Sequence, residues 1–127
     1  MSSVPRPDAE AAWLHWLSLG GFTASTKLPK DHFDGMTRLS RVGGKRLNLV
    51  QDQAQLLIET WHSDSYEASQ KAHALAARIE EAKDGAQLDA TTRVSEVITS
   101  GPVEFPDDDS ALTRYQFVVE CRLRRTS

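Results

Sequence analysis

The chain has few of the residues and segments that mark specialised protein classes. It contains one cysteine, Cys121, which cannot form an internal disulfide framework or a thiol cluster for zinc or iron-sulfur binding. Its apolar runs are only a few residues long, whereas a transmembrane helix needs about 20. A formal net charge of -3 is too small for a general affinity for polyanions. These shortages argue against a disulfide-rich, a membrane-spanning or a DNA-coating protein.

The remaining composition is that of an ordinary globular protein. The 127 residues, 39% hydrophobic and 26% charged, fit a single domain with one core. Residues Met1–Pro7 contain two prolines and lack the apolar segment of a secretory signal. We therefore expect a flexible N-terminal arm and an intracellular protein.

Two segments have the apolar periodicity of amphipathic helices. The first is predicted over Asp8–Ser18, with its two tryptophans on one stripe. The second is predicted to begin after a cap at Ser63 or Asp64 and to extend to Lys83. Its apolar face is rich in alanine, which allows a helix to lie close to a sheet.

Five segments have the character of strands. They are Phe22–Leu28, a segment from Phe33 or Met36 to Val42, Ala54–His62, Thr91–Ser100 and Tyr115–Leu123. Ala54–His62 has apolar residues on both faces and is predicted to be a central strand. Gly43 and Gly44 are predicted to end the second strand in a turn. The order of elements predicts an α+β fold, in which two helices pack on one face of a largely antiparallel sheet of four to five strands.

No group of residues predicts catalysis or metal binding. The four histidines lack the spacing of a metal site, and Gly43–Lys45 lacks the remainder of a phosphate-binding loop. Glu59 and Glu120 could act as an acid and a base, but arginines on neighbouring strands explain them equally well. Asp107–Asp109 lacks the alternation of an EF-hand loop. We therefore predict no catalytic residue, no metal and no cofactor.

The most informative segment is Val42–His62, where a basic glycine turn joins two strands. Four cations lie within nine residues, and they are Arg38, Arg41, Lys45 and Arg46. No aromatic residue lies among them, so a salt bridge to an acidic neighbour is favoured over contact with nucleic acid. Asp52 and the Asp107–Asp109 tip of another copy are the complementary candidates. The apolar Leu49 suggests contact with a neighbouring subunit, and the alternative is a loop folded onto its own core.

Several of these pieces together resemble the tail terminator proteins of long-tailed bacteriophages, especially those of actinobacterial hosts. The resemblance spans most of the chain but not the first helix. It lies in Arg41–Gly44, Asn48–Asp52, Glu59–Trp61, the alanine-rich helix, Gly101–Asp107 and Arg114–Glu120.

The resemblance implies a structural virion protein without enzymatic activity. Such a protein forms a hexameric ring, caps the tail tube to end its polymerisation, and offers a docking surface to the head-tail connector. Its expected partners are copies of itself, the major tail tube protein and the connector, with DNA as passing cargo and no membrane. It would occupy the head-proximal end of the tail in the virion, and the host cytoplasm during assembly.

Ten residues are the candidates for a subunit interface or ring surface. They are Arg38, Arg41, Lys45, Arg46, Leu49, Gln51, Asp52, Asp107, Asp108 and Asp109. The alternatives are a head-tail connector (neck) subunit or another minor tail protein, a small metal-dependent hydrolase or nuclease using Glu59 or Glu120, and an unrelated binding module.

Overall fold

The computed structural model describes residues 7–83, 85–107 and 110–126. Its elements are α1 (Ala9–Leu19), β1 (Thr37–Arg46), β2 (Gln51–His62), α2 (Ser65–Glu80), β3 (Thr92–Thr99), β4 (Val103–Phe105) and β5 (Thr113–Arg125). The strands form one sheet in the order β1-β2-β5-β3, with β4 paired to β5, and all these pairings are antiparallel. The predicted α+β class is confirmed. In the described part of the chain, neither helix combines the length and apolar character needed to cross a membrane.

Both predicted helices are present, and an aspartate begins each of them. The Asp8 side chain accepts a hydrogen bond from the backbone N–H of Ala11 at 3.0 Å. The Asp64 side chain accepts from two backbone N–H groups in the first turn of α2. These carboxylates satisfy donors that have no partner within the helix. The second helix ends at Glu80 rather than at the predicted Lys83, and a turn follows it.

The core lies between the helices and one face of the sheet. Cross-strand neighbours Ile58 and Phe117 are both on this face, as are Leu56 and Val119. Trp13 of α1 belongs to the same buried cluster. Because side chains alternate between the two faces of a strand, this register directs the opposite set of β2 and β5 side chains away from the helices.

The segment Phe22–Leu28 is not a strand, so that prediction was wrong. Only Ser25 forms a bridge, to Arg38 of β1. Two backbone hydrogen bonds join Ser25 to this edge of the sheet, from its N–H to Thr37 and from the N–H of Leu39 to its carbonyl, and the ladder continues no further. Alternation alone does not form a strand unless a partner edge runs alongside it. Conversely, β4 was not predicted, because three residues are too few to show a period.

The prediction that Gly43 and Gly44 end the second strand in a turn was wrong, because β1 continues past them. The register shifts between Arg41 and Gly43, so Val42 is the extra residue of a β-bulge, and pairing continues to Arg46. Gly44 has a positive φ of 101°. The turn lies at residues 47–50 instead, where the Asn48 side chain accepts backbone hydrogen bonds from Val50 and Gln51. The predicted loop is therefore a strand hairpin.

We expect Gly44→Ala to destabilise the protein by about 2–3 kcal/mol. A Cβ atom at this position would overlap the backbone carbonyl oxygen of Gln53, and the positive φ adds strain for any residue with a side chain. Gly101→Ala is the matched control, because a Cβ there meets nothing within 4 Å. Urea denaturation monitored by circular dichroism measures both variants. Equal midpoints for the two would contradict the close approach of Gly44 to the Gln53 backbone.

Candidate functional site

The face of the sheet opposite the helices is called here the open face. Its middle carries Leu57 and Val118, which are cross-strand neighbours and half-buried. Three apolar side chains on its outer strands are more exposed, namely Ile98 at 67%, Val103 at 51% and Phe105 at 43%. Other exposed apolar side chains, such as Leu49 and Tyr66, lie outside this face, so the open face is one of several candidate contact surfaces.

A buried carboxylate holds one end of the open face together. The side chain of Glu59 is 2% exposed and lies between Arg38 and Arg114. Arg38 Nη2 is 2.6 Å from Glu59 Oε1, and Arg114 Nη1 is 3.3 Å from Glu59 Oε2. Burial of a charge is costly unless it is paired, so two guanidinium groups keep Glu59 compatible with the fold. The predicted interface residue Arg38 is therefore engaged within its own chain.

Asp107 fastens the loop after β4 to the same end of the sheet. Its Oδ2 accepts hydrogen bonds from Trp61 Nε1 at 2.8 Å and from Ser110 Oγ at 2.6 Å. The predicted acidic tip is thus anchored at its first residue, which is half-buried. Asp108 and Asp109 lie outside the described residues.

Arg41 and Asp52 pair with each other on the helix-facing side of the sheet. The two guanidinium Nη atoms donate to the two carboxylate oxygens, with Nη2 2.9 Å from Oδ1, and the Asp52 side chain is only 6% exposed. The hydrogen bonds to Asp52 raise the pKa of Arg41 above its usual value. The backbone N–H of Arg41 also donates to Glu10 of α1 at 3.0 Å. The structure therefore brings these two candidates together as intrachain partners.

The remaining hairpin candidates lie at its tip and are available for contact. Leu49 is 65% exposed and Lys45 is also exposed, whereas Gln51 is half-buried opposite Arg124 of β5. Arg46 Nε donates to the carbonyl of Asn48 at 3.0 Å. No carboxylate among the described residues forms a salt bridge with Lys45 or Arg46.

The sheet also presents two edges without strand partners. Within ranges 7–83, 85–107 and 110–126, no backbone group pairs with the outer edge of β1 after Leu39 or with that of β3 after Val94, although the Glu10 side chain accepts the N–H of Arg41 on the β1 edge. The two edges differ in charge. Lys45 and Arg46 belong to β1, whereas Glu96 belongs to β3, and Glu80 of α2 accepts a hydrogen bond from Thr99 at the end of β3. Arg122 and Lys83 lie near Glu96 and reduce this difference. An unpaired edge is a template for another strand.

Sequence reasoning missed the β3 edge and the part played by Arg114. The sequence did indicate that some arginine pairs with Glu59, because a glutamate in an apolar strand requires cationic neighbours. Which arginines provide them depends on the register between β2 and β5, which places Arg114 beside Trp61, two residues from Glu59 in the ladder.

That the chain has no metal site and no reaction cleft remains a prediction. The described residues contain no group of three or more histidine, cysteine, aspartate or glutamate side chains that could hold a metal. An apolar hollow of about 300 Å³ lies between the 23–33 segment and β1, and it is lined by Leu28, Phe33 and Met36 among others. Its polar lining includes Ser25 and Lys27.

Comparison with known proteins adds a loose structural likeness. No protein-family model matches the chain, and no curated protein matches it. Among solved structures, it is similar to a chain of the virion of a native gene transfer agent particle. The two chains are 16% identical with a TM-score of 0.49, and the match covers 86% of this chain and 84% of the other. A likeness at this level carries no conclusion about function.

Proposed function

We propose that this protein is a structural virion protein that closes into a ring on the end of a phage tail tube. The ring stops tube polymerisation and forms the surface on which the head-tail connector docks. It performs no catalysis. Its partners are further copies of itself, the major tail tube protein and the connector, and DNA passes through it as cargo.

The observation that carries this proposal is the pair of unlike, unpaired edges on opposite sides of one sheet. An interface between two different patches of one subunit is head-to-tail, and it generates a closed ring when the rotation per subunit permits closure. The basic β1 edge of one copy and the acidic β3 edge of the next are such patches. Strand addition supplies backbone hydrogen bonds, and the charges supply orientation.

The resemblance to tail terminator proteins supports the same proposal. Several of its segments fall on the strands and loops that build the hairpin, the open face and the β4–β5 connection, such as Arg41–Gly44, Asn48–Asp52 and Arg114–Glu120. These are the parts of the fold that would meet other subunits. The first helix, which lies outside the resemblance, packs into the core and presents no strand edge.

Reversing the charges of Lys45 and Arg46 tests the proposal. We expect K45E/R46E to raise the concentration needed for ring formation at least tenfold, since two attractive contacts per interface become repulsive. Light scattering coupled to size exclusion measures the assembly, and negative-stain images show rings directly. Arg41 is left intact, because removing the partner of buried Asp52 would unfold the protein instead of testing an interface.

Two further variants make the result specific. K27E/K30E changes the charge equally at exposed positions outside the proposed edge and is expected to assemble normally. E80K/E96K in combination with K45E/R46E restores opposite charges and is expected to recover assembly. Unchanged assembly of K45E/R46E would refute the edge contact.

Capping of purified tail tubes, rather than binding on the portal side, distinguishes a terminator from a neck subunit.

A further inference from the structure

Three exposed arginines form a compact group at the end of the open face nearest the hairpin tip. They are Arg93, Arg122 and Arg124, called here the basic corner. Arg93 and Arg124 are directly opposite each other in the β3–β5 ladder, and Arg122 lies two residues from Arg124 on the same face. Like charges in directly opposite positions destabilise a sheet. The fold therefore keeps an unfavourable pair on an exposed surface.

Acidic residues of the same chain neutralise only part of the positive charge on these three arginines. Arg122 Nε is 3.8 Å from Glu96 Oε2, but the two side chains are 45% and 68% exposed, so water screens the pair. Arg93 Nε donates to the neutral amide oxygen of Gln87 at 3.3 Å. No described carboxylate forms a salt bridge with Arg93 or Arg124. Glu96 and Glu120 both border Arg122, so the positive charge without a described acidic partner lies on Arg93 and Arg124.

We infer that the basic corner binds the phosphate backbone of duplex DNA. Arginine presents a planar fork that matches phosphate oxygens, and a duplex carries about one negative charge per 1.7 Å of its axis. Gln51 and Gln53 lie next to the arginines on the same face, opposite Arg124 and Arg122 respectively, and amide side chains also contact phosphates. These arginines and glutamines form a flat polar surface with no aromatic side chain on which a base could stack.

An acidic protein surface fits this corner less well. Protein interfaces have an apolar core that is depleted of charge, and the corner contains no aromatic residue. The exposed apolar side chains Val103 and Phe105 lie next to Gln116 and Arg114, toward the other end of β5, and Ile98 is an exposed apolar side chain that borders the corner. The inference goes beyond ring formation and requires only a single subunit, so it can fail or succeed independently of the proposed function.

Fluorescence anisotropy with a labelled duplex of mixed sequence tests the inference on the full chain. We expect a dissociation constant of about 10⁻⁴ to 10⁻⁶ M, which is the range of binding without sequence preference. R93Q/R124Q should weaken binding at least tenfold. It should also reduce the slope of log K against log salt by about 2, because each of the two arginines neutralises one phosphate in the wild-type complex.

Controls separate this result from misfolding and from ring formation. K27Q/K30Q removes the same charge from exposed positions outside the corner and should bind DNA like the wild type. R93Q/R124Q should unfold at the same temperature as the wild type or a slightly higher one, because it removes a repulsive pair, and it should still assemble. The inference is overturned if R93Q/R124Q binds DNA as well as K27Q/K30Q does. It is also overturned if a polyglutamate peptide of equal charge competes as effectively as unlabelled duplex.

Discussion

Replacing Glu59 with glutamine is expected to lower the free energy of unfolding by about 3–5 kcal/mol. The change is nearly isosteric, so its cost comes from charge rather than from volume. In the wild type the carboxylate accepts hydrogen bonds from Arg38 and Arg114 and is almost completely buried. Without it, two guanidinium groups face each other. One of them, Arg114, already has a buried Nε atom with no hydrogen-bond partner among the described residues of the wild type.

Two comparison variants sharpen the Glu59 experiment. Glu120→Gln removes a carboxylate from an exposed position on the same face, and it should change the unfolding free energy by less than about 0.5 kcal/mol. Replacing Arg38, Glu59 and Arg114 together with methionine, leucine and methionine should recover much of the loss, since apolar side chains substitute well for a buried ion cluster. Urea denaturation measures the free energy of unfolding of Glu59→Gln, of Glu120→Gln and of the triple variant. A loss for Glu59→Gln no larger than that of Glu120→Gln would show that the cluster contributes nothing.

Trp13→Ala is expected to cost about 3–5 kcal/mol and to loosen the contact between α1 and the sheet. Trp13 has no exposed surface, and its indole Nε1 lies 3.3 Å from Cys121 Sγ, to which it donates. Truncation to alanine leaves a cavity at the centre of the core cluster. Leu19→Ala is the control, because Leu19 on the same helix is 64% exposed.

The labelling rate of the Cys121 thiol is a second measure of how Trp13→Ala loosens the core. Burial raises the pKa of its thiol to about 11, so the thiol remains protonated and protected in the folded state at a pH of about 8. In Trp13→Ala, looser packing of α1 should expose the thiol more often, and labelling by a thiol reagent should accelerate by at least tenfold. Leu19→Ala should label at the wild-type rate. Slow labelling of Trp13→Ala together with wild-type stability would contradict the central place assigned to this side chain.

Local sequence patterns predicted a helix or strand correctly where each residue's environment follows from its neighbours in sequence. The alternation in Tyr115–Leu123 predicted β5, because Phe117, Val119, Cys121 and Leu123 are all buried on one face. Apolar stripes predicted both helices, together with acidic residues at the start of the first and a cap at Ser63 or Asp64 for the second. The apolar residues on both faces of Ala54–His62 predicted a central strand, which β2 is.

Patterns failed where the outcome depended on a partner distant in sequence. Phe22–Leu28 alternates like a strand but finds only a short contact with the β1 edge. Gly43 and Gly44 suggest a turn, yet pairing with β2 carries the strand past them through a bulge. Asp52 was named as a possible acidic partner of the basic cluster, but only the hairpin register shows that it pairs with Arg41 in the same chain, and an interface role for either residue stays a prediction.

The sequence by itself determined the fold class, both helices, the central strand and the lack of any recognisable catalytic motif, because periodicity and capping act over a few residues. Only the tertiary structure decided which charges are neutralised internally. Register between strands assigns Glu59 to two arginines, pairs Arg41 with Asp52, and leaves Lys45, Arg46 and the basic corner facing outward. Strand order similarly decides which edges stay unpaired, and no short segment of sequence contains that information.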